Sequence, residues 1–100
     1  MDLLSSLYDK ERRVLEKAQD MLERARDSKK GIEPYRNLMM FLDEKHEVFE
    51  RFKTNFAVIY GTIGWELLHW GDSGAAFSCF DRAIAIDPLN PVHWNEKGVA

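Results

Sequence analysis

The stretch 57–90, AVIYGTIGWELLHWGDSGAAFSCFDRAIAIDPLN, decides the fold, together with Pro91 directly after it. Gly71-Asp72 divides this stretch in two. Glycine suits the left-handed position that ends a helix, and aspartate caps the next one. Asp87-Pro88 closes the second half, because the residue before a proline avoids the α region. Asn90-Pro91 then restarts a helix, a capping side chain with the proline that a first turn tolerates. Gly64 and Ala76 are small where two helices of a hairpin must approach. Ala83 is small where the second helix meets its next neighbour, and Phe80 fills the space between. Each of these choices agrees with helix–turn–helix–turn–helix, and hence with an all-α fold.

The same stretch repeats in part. Val58 and Val92, Tyr60 and Trp94, and Gly64 and Gly98 each stand 34 residues apart. The pattern Tyr60-x-x-Ile63-Gly64-x-x-Leu67, Gly71-Asp72, Ala76-x-x-x-Phe80-x-x-Ala83, Asp87-Pro88 resembles the tetratricopeptide (TPR) repeat, whose period is about 34. Tyr60 stands where that family has Trp, Leu67 where it has Tyr, and Ser73 where it has an aromatic residue. On this resemblance 57–90 is one full repeat and 91–100 is the first part of a second. Counting 34 back from Tyr60 and Gly64 reaches Arg26 and Lys30, so 1–56 lies outside the pattern. It reads as a charged helical hairpin, either a cap or an oligomerisation element.

Helical period in that hairpin is clear. Leu7, Val14 and Met21 recur every seven residues, with Tyr8, Leu15 and Leu22 beside them and Leu4, Ala18 and Ala25 on the same side. Glu11 interrupts the stripe. The first helix is expected from about Asp2 to Lys30, stopped by Gly31. Pro34 opens the second. Its apolar phase, Tyr35, Leu38, Leu42, Phe49, Phe52 and Phe56, continues through Ile59, Ile63 and Leu67. One helix from Pro34 to Trp70 is possible; the repeat places a break near Thr54-Asn55, both good N-caps. A short loop makes the two helices neighbours. Three heptads with Glu11 in the seam would make only a marginal coiled coil.

Charge is uneven. Residues 1–56 hold 24 of the 31 charged side chains, while five of the six Gly and all three Trp come later. A helical surface laced with opposite charges therefore precedes a closely packed segment. A net charge of −3 gives a nucleic-acid partner no electrostatic support. One Cys makes neither an intramolecular disulfide nor a cysteine-rich zinc site. The start carries no secretory signal and no apolar run approaches the roughly 20 residues that span a bilayer, so a cytoplasmic, membrane-free protein is expected.

No catalytic constellation emerges from the pattern. His46, His69 and His93 lie far apart and read as surface residues, none at metal spacing from a partner. Cys79 reads as a buried structural thiol without a base. Gly61-x-x-Gly64 lies within a helix and lacks the lysine of a phosphate loop. The many acidic residues read as solvated helix faces. No enzyme, metal or cofactor is expected.

The resemblance implies a concave groove lined by the first helix of each repeat, here by Val58, Gly61, Trp65, Leu68 and His69. Gly61 and Trp65 stand where the chaperone-binding branch has clamp residues for a carboxylate, so an apolar groove is expected. Its filler is a protein or peptide segment, or the chain's own N-terminal hairpin. The expected function is a non-catalytic protein–protein interaction scaffold. The alternatives are a homo-oligomerisation module using the first helix, and an accessory domain of a larger protein. Trp94 and Val99, on a helix with no following partner, form an open end. Burying one large apolar side chain is worth about 1.5–3 kcal/mol, so self-association or the start of a longer repeat protein is expected.

Overall fold

A computed structural model describes residues 3–45 and 51–99, with side chains for 9–45 and 51–98. The chain forms five helices in order: α1 (Leu3–Ser28), α2 (Glu33–Glu44), α3 (Lys53–His69), α4 (Ser73–Ile86) and α5 (Pro91–Val99). There is no strand among the described residues, and the fold is all-α.

The turns of the C-terminal half are set by their residues. Gly71 adopts φ 92°. Its N–H donates to the Leu68 carbonyl at 3.0 Å, and that of Asp72 to Leu67 at 2.8 Å. This is a Schellman ending, which needs a left-handed residue at that point. Asp72 then caps α4, its side chain accepting the Ala75 N–H at 3.2 Å. Asn90 caps α5 through the Val92 N–H at 3.0 Å.

Boundaries in the N-terminal half differ from expectation. α1 ends at Ser28, before Gly31; the Ser28 hydroxyl donates to the Ala25 carbonyl at 2.9 Å and Lys29 turns left-handed at φ 52°. α2 begins at Glu33, one residue ahead of Pro34. The expected break exists but comes earlier: α2 ends at Glu44, and Thr54 and Asn55 lie within the first turn of α3. Neither caps it. The N-cap position is Phe52, which offers no capping side chain. Glu11 of α1 takes over that task. Its carboxylate accepts the Arg51 N–H at 2.9 and 3.0 Å and the Phe52 N–H at 2.8 Å. Glu11 is 2% exposed. The residue that interrupts the apolar stripe is thus the acceptor for two N–H groups at the start of another helix.

Side-chain contacts order the helices in two layers. Glu11 meets the start of α3, and Arg26 meets Glu66 near its end at 3.5 Å, so α1 and α3 run parallel. Glu96 of α5 lies over Gly61 of α3. α2 and α4 form the other layer, joined by Asp43–Arg82 at 2.8 Å and by the Cys79 thiol on the Met39 sulfur at 3.3 Å. One core runs through both halves, including Leu15, Ala18, Leu38, Phe56, Ile63 and Phe80. The Leu15 face of α1 is therefore spent inside the chain. Leu4, Leu7, Tyr8 and Phe49, also assigned to apolar stripes, lie outside the described side chains.

At Gly64 the ring of Phe80 from α4 presses on the α3 backbone. A Cβ there would lie 2.5 Å from Cε1 of Phe80. Phe80, Ala76 and Ala83 are all 0% exposed, so the ring has nowhere to retreat.

Overfilling a core costs about 1–3 kcal/mol, against a helix preference of roughly 1 kcal/mol for alanine over glycine. Gly64→Ala is therefore expected to lower the unfolding free energy in urea by up to about 2 kcal/mol, whereas Gly74→Ala, with open space around it, is expected to cost nothing. Glu11→Ala leaves two N–H groups without their charged acceptor and is expected to lose about 2–3 kcal/mol. Glu11→Gln keeps an acceptor oxygen and loses less; faster amide exchange at Phe52 in the alanine variant checks the cause.

Candidate functional site

The helices bring only part of the expected groove together. Val58, Thr62 and Trp65 of α3 face Val92, His93 and Glu96 of α5 across an open groove of about 410 Å³, with Asn90 also in its lining. Val58 is 52% exposed, Trp65 41% and Val92 54%. Among the described residues, none of the N-terminal hairpin lines this space. Trp65 is held from beneath by Phe80, edge to face, with ring centroids 5.7 Å apart.

Three other residues assigned to the groove sit differently. Gly61 is buried, and a Cβ there would lie 2.8 Å from the Glu96 carboxylate. It is a seat for that carboxylate. Leu68 is half-buried against the core. His69 borders a separate hollow with Arg26, Lys29, Tyr35, Glu66 and Trp70, where the Tyr35 hydroxyl donates to Glu66 at 3.2 Å. Burial, then the Glu66 carboxylate, raises the Tyr35 pKa.

His93 corrects the reading of histidines as surface residues: it is 1% exposed. Its Nε2 lies 3.6 Å from Asp87 and its Nδ1 3.4 Å from Glu96. Two carboxylates thus do flank a histidine, although no group of three metal-binding side chains is formed among the described residues. A signal for this burial exists in the sequence: His93 stands 34 residues after Ile59, which is buried. His69 is exposed, and His46 lies outside the described residues.

Acidic residues also depart from the solvated faces expected of them. Asp43 accepts the Tyr60 hydroxyl at 2.7 Å and pairs with Arg82, tying α2, α3 and α4 together. Burial and that hydrogen bond hold the Tyr60 hydroxyl far above its ordinary pKa. A hollow of about 320 Å³ opens beside this cluster. Cys79 is buried as expected, and burial pushes its thiol up to about 12. It is a poor nucleophile there.

In the α4–α5 turn Leu89 is 93% exposed, and Trp94 on α5 is 54% exposed. The Trp94 indole N–H donates to the Pro88 carbonyl at 3.0 Å. The side chain of Val99 lies outside those described. No described helix is long and apolar enough to cross a membrane. The chain matches no family model, no curated protein and no solved structure.

Proposed function

We propose that the chain is a non-catalytic protein–protein interaction scaffold of tetratricopeptide type. It would bind a peptide or helix in the groove between α3 and α5. The observation that carries this reading is an apolar groove whose walls, Val58, Trp65 and Val92, are each about half exposed, set in a two-layer stack of helices. Exposed aromatic side chains held rigid by packing are efficient binding anchors, and Trp65 rests on Phe80 in this way. The order of helix neighbours supports a solenoid reading, with α1, α3 and α5 in one layer and α2 and α4 in the other. The buried state of Cys79 and the pairing of Asp43 with Tyr60 and Arg82 fit packing roles.

Selection of short peptides from a random library against the chain tests this function. Binders are expected to shift the amide resonances of Val58, Trp65 and Val92, and Trp65→Ala is expected to weaken them by about tenfold or more. Binders that leave these resonances unmoved would contradict the proposal.

Exposed Leu89 and Trp94 favour a second reading, self-association through the α4–α5 end. Sedimentation is expected to show average mass rising with concentration, and Leu89→Asp with Trp94→Asp is expected to suppress the rise. A constant monomer mass at high concentration would rule it out.

A further inference from the structure

The floor of the α3–α5 groove carries negative charge that the described residues do not neutralise. α5 starts at Pro91, so His93 and Glu96, three residues apart, share the helix face turned toward α3. His93 is buried, with its Nε2 3.6 Å from an Asp87 oxygen and 3.5 Å from the Asn90 amide nitrogen. Its Nδ1 has no hydrogen-bond partner, although a Glu96 oxygen lies only 3.4 Å away. A neutral imidazole has one donor and one acceptor nitrogen. With the proton on Nε2, directed at Asp87, the Nδ1 lone pair and the Glu96 oxygen are two acceptors with no donor between them. With both nitrogens protonated, one positive charge stands against two carboxylates. With the proton on Nδ1 instead, that nitrogen faces Glu96 and Nε2 faces the Asn90 amide nitrogen; in each of these three states the set Asp87, His93 and Glu96 is net negative.

Nothing described nearby supplies the missing cation. Among the described residues no lysine or arginine pairs with Asp87 or Glu96: Lys97 reaches Asp81 at 2.6 Å, and Arg82 reaches Asp43 at 2.8 Å. The side chains of Glu96 and Asp87 are only 15% and 21% exposed, so water compensates them poorly. Glu96 also lies over Gly61, where any Cβ would collide with it. Among the described residues neither lysine nor arginine lines the groove, while Trp65 offers a half-exposed ring at its wall.

We infer that this groove takes a basic side chain, arginine or lysine, from a partner segment whose flanking residues are apolar. The cationic head donates to the Glu96 carboxylate, as a charge-assisted hydrogen bond. Its stem and charge lie along Trp65, whose ring attracts cations. The apolar neighbours rest on Val58 and Val92. This rests on the interaction-groove reading and names the chemistry of its partner.

The test is a nuclear magnetic resonance titration of the full chain with three short peptides, acetylated and amidated. They are alike, leucine-flanked, and differ only in a central arginine, norleucine or glutamate. The arginine peptide is expected to bind about tenfold more tightly than the norleucine peptide and to lose that advantage as salt is raised. Glu96→Gln is expected to abolish the advantage. Salt dependence on the unaltered chain covers the case in which the variant misfolds. Equal binding of arginine and norleucine peptides at low salt, or tighter binding of the glutamate peptide, would overturn the inference and leave the groove reading standing. Failure of all three to shift Val58, Trp65 and Val92 would overturn both.

Discussion

The absence of a side chain at Gly64 lets the Phe80 ring press against the α3 backbone, and the C-terminal half is organised around that contact. The approach is too close for any Cβ. Ala76 and Ala83 extend it along α4, where their small side chains are fully buried. Phe80 in turn supports Trp65 from below. The wall of the groove is therefore placed by the same ring that joins the two helices. A buried core aromatic thus positions a half-exposed one.

Apolar burial brings the helices together, but it is non-directional. Polar contacts fix where along one another they stop. Glu11 ties α1 to the start of α3, and Glu66, receiving Tyr35 and Arg26, ties α1 and α2 to its end. Asp43 joins α2 to α3 and α4 through Tyr60 and Arg82. The helix whose apolar residues are spread most widely around it, α3, is the one in which all these contacts meet: Glu11 and Asp43 reach it from α1 and α2, and Glu66 is its own. A helix buried on several sides has no single stripe to set its position, so directional contacts decide it.

What could be read from the residues alone divides along the same line. Helix existence, the turns at Gly71-Asp72 and Asn90-Pro91, and the burial of Gly64, Ala76, Phe80 and Ala83 depend on neighbours within a few residues or on a fixed repeat. They were legible. Glu11 was not, because its partners are backbone N–H groups 40 residues away, and backbone groups leave no trace in the side-chain pattern. A charge in an apolar stripe looks like a flaw until its acceptor role is seen. The cap of α3 was misassigned for the same reason, since Thr54 and Asn55 look like caps and the true acceptor lies on another helix. That Val58 and Trp65 share one groove was legible in the residues. The rest was not, because Glu96 reaches across to occupy the space at Gly61, and no spacing rule foretells which side chain fills a neighbouring gap.

The close seating of Phe80 against Gly64 has a direct spectroscopic signature. Glycine α-protons held over an aromatic face resonate well upfield of those in a free chain and give strong cross-relaxation to the ring protons. Both are expected for Gly64, with cross-peaks to the ring of Phe80 and further cross-peaks from that ring to Trp65. Ordinary α-proton shifts at Gly64, with no cross-peaks to Phe80, would contradict this packing.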